Sequence, residues 1–105
     1  MASGPLHVRW QAYKPSWYRK EAPVHVRAIL TRRVIGPHGR PVMREIAHVA
    51  AYDESRATDP ATIHAFWTRA RFNLGKMRLR GNEITLIEQT LAQRIPPLPE
   101  MTNGH

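Results

Sequence analysis

Apolar and polar residues alternate in the first half of the chain and shift to a helical period in the second. In Leu6 to Tyr13 the apolar Val8, Trp10 and Ala12 alternate with His7, Arg9 and Gln11, the spacing of a half-buried strand. Lys14-Pro15-Ser16 interrupts it, since proline has no amide hydrogen for a ladder. Trp17 to Pro23 is mostly polar and reads as a loop. Val24 to Ile35 predicts a longer strand, with Val24, Val26, Ala28, Leu30 and Val34 on one face and His25, Arg27, Thr31 and Arg33 on the other. Gly36-Pro37-His38-Gly39-Arg40 is a turn cluster, and Pro41 to Tyr52 a third extended run. In that run Met43, Ala47, Val49 and Ala51 are expected to face one way, and Arg44, Ile46 and His48 the other. The two long runs and their glycine-containing turn form a β-hairpin.

The period changes after the polar connector Asp53 to Thr58. Asp59-Pro60 is a helix start, with aspartate as N-cap and proline at the first helical position. Ile63, Phe66, Trp67, Ala70, Leu74 and Met77 follow at spacings of three and four, one face of an amphipathic helix. Gly75 ends or weakens it. Asn82 is the expected cap of a second helix whose buried side is Ile84, Ile87, Leu91 and Ile95, and Pro96-Pro97 stops it. Strands followed by helices imply an α+β fold: a small antiparallel sheet, hairpin or three-stranded meander, with two helices packed on one face. Ile63, Phe66 and Trp67 are the expected lid over Val26, Ala28 and Leu30. Residues 1–95 are read as one domain and 96–105 as a flexible tail. The length of 105 residues suits a single small domain.

Composition narrows the chemistry. With no cysteine, disulfide frameworks, cysteine-based zinc sites and thiol catalysis are excluded. No apolar run approaches a membrane span, and Met1 to Pro5 lacks the apolar stretch of a signal peptide, so a cytoplasmic protein is expected. The six histidines are scattered singly, with no i, i+4 pair among them. Ser3, Ser16 and Ser55 lie in polar connectors without the surroundings of a nucleophile, and no phosphate-cradling glycine loop precedes a helix. Neither an enzyme activity nor a cofactor is expected.

Charge carries more information. Sixteen Lys+Arg against eight Asp+Glu give a formal +8. From Pro60 to Asn82 there is no acidic residue, while Arg69, Arg71, Lys76, Arg78 and Arg80 all fall there. Arg71 is expected to point outward, Arg69 to sit nearer the helix flank, and the segment from Gly75 to Gly81 to form a flexible basic loop. Such a cluster binds phosphates by charge-assisted contacts and counterion release, or simply keeps a small protein soluble. A second basic group comprises Arg9, Lys14, Arg19, Lys20, Arg27, Arg32 and Arg33. With Arg27, Thr31 and Arg33 in the outward row and Arg44 on the partner strand, the hairpin is expected to present a positive ribbon, a shape that the DNA major groove admits. Trp17 and Tyr18, beside Arg19 and Lys20, either pack against the sheet edge or stack on unpaired bases. Arginine outnumbers lysine thirteen to three, which suits forked recognition of phosphate or guanine edges.

The stretch Val26 to Ala51 resembles the N-terminal hairpin region of insertion-element transposases and related small mobile-element proteins. An apolar strand ending in arginine (Leu30-Thr31-Arg32-Arg33) leads to a glycine turn (Gly36 to Arg40), then Arg44 and a second strand (Ile46 to Ala50). Ala51-Tyr52-Asp53 stands where the family usually has Leu-Gly, and no catalytic acidic triad is carried over. The resemblance implies a DNA-associated accessory module of a mobile element or phage. Nucleic acid is the expected partner, with DNA favoured over RNA. The alternative is an adaptor or small inhibitor docking on an acidic protein surface, with the hairpin edge offering a route to a homodimer.

Overall fold

The computed structural model describes residues 6–15 and 21–102. Three antiparallel strands, β1 (Leu6–Tyr13), β2 (His25–Ile35) and β3 (Pro41–Asp53), form a sheet in the order β1-β2-β3. A short 3₁₀ turn at Glu54–Arg56 leads to α1 (Pro60–Gly75) and α2 (Gly81–Arg94), and a last helical turn, α3, covers Pro99–Thr102. The expected α+β architecture is present, with the three-stranded meander rather than a lone hairpin.

Both helices lie on the face of the sheet that carries Val26, Ala28 and Leu30. Phe66 and Trp67 of α1 and Ile87 and Leu91 of α2 join these residues in one buried cluster. Trp10, Tyr52, Phe66 and Trp67 stack edge-on or offset, with centroids 5.5–6.5 Å apart. Trp67 is 1% exposed, and its indole N–H donates to the carbonyl of Ile95 at 2.8 Å, tying α1 to the end of α2.

The helix starts follow from local chemistry. The Asp59 carboxylate accepts from the Thr62 amide at 3.2 Å, the expected cap of α1. At α2 the cap position is Arg80 rather than Asn82, because the Glu83 side chain accepts from the Arg80 amide at 2.9 Å and so begins the helix two residues earlier. The segment after α2 touches the body at Met101. Met101 lies against the core, and its carbonyl accepts from Arg71 at 3.2 Å.

The turn between β2 and β3 closes with the Gly39 amide on the Gly36 carbonyl at 3.0 Å. Gly39 has φ +74°, a conformation that glycine adopts without steric penalty. The simple alternation expected for β3 does not hold. Neither Val49 nor Ile46 has a partner on β2, so two bulges shift the register. Each bulge reverses which residues face the helices. Val49 is buried directly beside Ala50, and its carbonyl accepts from the Asn73 side chain at 2.7 Å. We expect Asn73→Ala to cost about 1–3 kcal/mol by leaving that carbonyl unpaired, measurable by urea unfolding at an unchanged m-value.

The second consequence is an arm. Beyond Arg32, whose guanidinium meets Glu83 of α2, the β2–β3 hairpin runs past the helices, and Ile35, Val42, Met43 and Ile46 are exposed. A radius of gyration of 15.4 Å exceeds the roughly 13 Å of a compact chain of this length, in keeping with such a projection.

Candidate nucleic-acid interface

The arm alternates in the register set by the bulges. Arg33 pairs with Met43 and Ile35 with Pro41 on the open side, while Arg32 pairs with Arg44 and Val34 with Val42 on the helix side. The expected row of Arg27, Arg33 and Arg44 on a single face is therefore not formed. Arg33 is on the open face and Arg44 on the opposite one, because the bulge at Ile46 lies between Arg44 and His48. Arg27 is also less available than expected. Its Nε donates to the Gln11 side chain at 2.6 Å, and its guanidinium lies 5.1 Å from the Tyr13 ring centroid.

The rest of the open face is crossed by side chains rather than by another element. Arg9 of β1 pairs with Glu45 of β3, and since their partners on β2 are Ile29 and Thr31, the bridge passes over the middle strand. Ile29 and Thr31 are buried beneath it. Partial burial, and then the guanidinium groups of Arg27 and Arg69, lower the pKa of His48 from its ordinary value. That ring is neutral at pH 7 and adds no charge between the two arginines.

The cations of the acid-free interval divide. Arg71 points toward α2, not outward: it pairs with Glu88 at 3.9 Å and lies 5.3 Å from the centroid of the Trp67 ring. It belongs to the packing of α1 against α2 and the C-terminal turn. Arg69 is the outward one, on the exposed side of α1. Between the helices Met77 and Leu79 pack against the core, so the alternate residues Lys76, Arg78 and Arg80 are turned to solvent. The expected basic loop is present, anchored by two apolar side chains. Trp17, Tyr18, Arg19 and Lys20 lie outside the described residues.

These parts converge. Asn73, near the end of α1, reaches Val49, and Glu83, in the first turn of α2, reaches Arg32. The loop from Lys76 to Arg80 thus lies where the arm leaves the body. Comparisons of the chain with protein-family models, curated proteins and solved structures return no match.

Among the described residues no carboxylate pairs with Arg33, Arg40, Arg44, Arg69, Lys76, Arg78 or Arg80. Six of the acids are engaged with other groups: Glu45 with Arg9, Glu54 with Arg94, Glu83 with Arg32, Glu88 with Arg71, Asp53 with Ser55 and Asp59 with Thr62. Arg40, in the hairpin turn, and Phe72, 57% exposed beside Lys76, were not singled out from the sequence. Arg40 could have been found from its position in a projecting turn. Phe72 falls outside the apolar stripe of α1, and that mismatch was its signal. The groove between β1 and α2, ≈ 370 Å³, is lined mainly by Leu6, Val8, Leu86 and Ile87, with His7 and Glu83 its titratable groups. It offers apolar contact rather than a facing acid–base pair. No group of three potential metal ligands occurs among the described residues.

Proposed function

We propose that this chain is a non-enzymatic nucleic-acid-binding module whose β2–β3 arm enters a groove of duplex DNA while the inter-helix loop holds phosphates beside it. One observation carries the reading: apart from Arg69 on the exposed side of α1, the described cations named above as having no carboxylate partner gather on the arm and at the helix ends next to it. The four ladder pairs from Arg32–Arg44 to Ile35–Pro41 span about 10 Å, and a two-stranded ribbon of that length reaches the floor of a major groove about 8.5 Å deep. Arg33 and Arg40 then approach base edges or groove walls, and Lys76, Arg78 and Arg80 the flanking backbone. Service as an accessory module of a mobile element or phage, as the hairpin's resemblance implies, fits this reading.

The binding should be steeply salt-dependent. Three phosphate contacts, from Lys76, Arg78 and Arg80, give a log–log slope of about −2.7 on duplex DNA. Fluorescence anisotropy of a labelled duplex at several salt concentrations measures it, and no binding even at low salt removes the reading.

A second reading has its own support. Phe72 is an exposed aromatic ring with Lys76 4.7 Å from its centroid, Ile35, Val42 and Met43 are apolar and exposed on the arm, and Ile46 is exposed at its base. An aromatic anchor rimmed by cations suits an acidic protein partner, or a second copy meeting the arm's edge. Capture from lysate with and without nuclease separates the two. Retention that survives nuclease favours protein.

A further inference from the structure

Across the β2–β3 ladder Arg32 and Arg44 are direct partners on the helix side, and like charges so placed repel. The Glu83 carboxylate meets Arg32 from outside the sheet. The Glu83 carboxylate places Oε2 3.5 Å from the Arg32 guanidinium, and its Oε1 accepts from the Arg80 amide at 2.9 Å. Both side chains of this ion pair are three-quarters buried. An oxyanion shared between a guanidinium and an amide at the start of a helix is also how proteins seat a phosphate. Arg78 and Arg80 stand beside it with no carboxylate of their own among the described residues.

We infer that Glu83 is a built-in competitor for the backbone phosphate, occupying the corner between arm and helices until Arg32 exchanges it for the polyanion. This rests on the nucleic-acid reading above and adds a control to it. Exchange of one anion for another at Arg32 yields little net counterion release, so in the native chain Arg32 contributes almost nothing to the salt slope. The carboxylate sets a ceiling on affinity, which favours a module that must also let go.

Glu83→Gln tests this, because glutamine keeps an oxygen for the Arg80 amide and removes the charge. The Glu83 carboxylate then no longer competes with a phosphate at Arg32. Titrating a labelled duplex across salt, the variant should show a slope steeper by about 0.9 and bind about eightfold more tightly at 0.1 M, the gain vanishing toward 1 M. Arg32→Gln is the counterpart: Glu83 is left facing the phosphates, and binding should fall below that of the wild type. A Glu83→Gln line superimposed on the wild-type line, with the fold intact by circular dichroism, would overturn the inference while leaving the parent reading in place. Should Glu83→Gln fail to fold, Arg32→Gln decides alone, and binding equal to wild type overturns it. A wild-type chain that binds no duplex at low salt overturns both.

Discussion

Replacing Arg78 and Arg80 by glutamate together should weaken duplex binding by at least about 60-fold at 0.1 M salt, and flatten the log–log salt slope by about 1.8. The arithmetic is that of two lost phosphate contacts, each worth about 0.9 in the exponent; the added repulsion of two carboxylates makes it a lower bound. Both side chains are turned to solvent, and the loop is held by Met77 and Leu79, so the substitution leaves the anchoring contacts alone. Circular dichroism of the double variant should match the wild type. Undiminished binding would transfer the interface to the open face of the sheet or dismiss it.

Trp67→Ala should be the most damaging single truncation in the body. Trp67 is at the centre of the aromatic cluster, contacts Phe66 edge-on, supports Arg71 from its ring face and donates to Ile95. Removing a large buried aromatic costs about 3–5 kcal/mol, a large part of the 5–15 kcal/mol that typically holds a domain together. Thermal unfolding should move down by at least about 12 °C. Trp67→Phe, which keeps most of the volume and loses the indole N–H, separates packing from the hydrogen bond. A drop in melting temperature of only a few degrees for the alanine variant would mean that the helices are secured elsewhere.

How far these features could be read in advance depended on the range of the forces that set them. The first two strands and α1 were legible because their signals are local: alternation in β1 and β2, a carboxylate cap at Asp59, and apolar residues three and four apart. The third strand was not, because a bulge is chosen by packing across the sheet. Val49 and Ala50 are adjacent and both buried, and Val49 has no partner on β2. Their neighbourhood, an unbroken run of small and apolar residues around His48, was the available hint. From that miss came the misplacement of Arg44. Arg71 was misread for another reason. Its partners Glu88 and the Met101 carbonyl come from segments far along the chain, although Trp67 four residues earlier is a local partner that helical spacing provides. Glu83 escaped notice as a cap because the residue three positions before it is arginine, whose side chain has no acceptor; only its own half of the box operates.

The bulges of β3 have a further consequence. A regular 13-residue strand at the margin of a sheet would expose a continuous row of unpaired amides and carbonyls, a template on which identical chains could stack without limit. Here the row is broken at Ile46 and again at Val49, where the carbonyl is already claimed by Asn73. The same irregularity that steers Arg44 toward the helices thus interrupts the template that this edge would offer to a second chain.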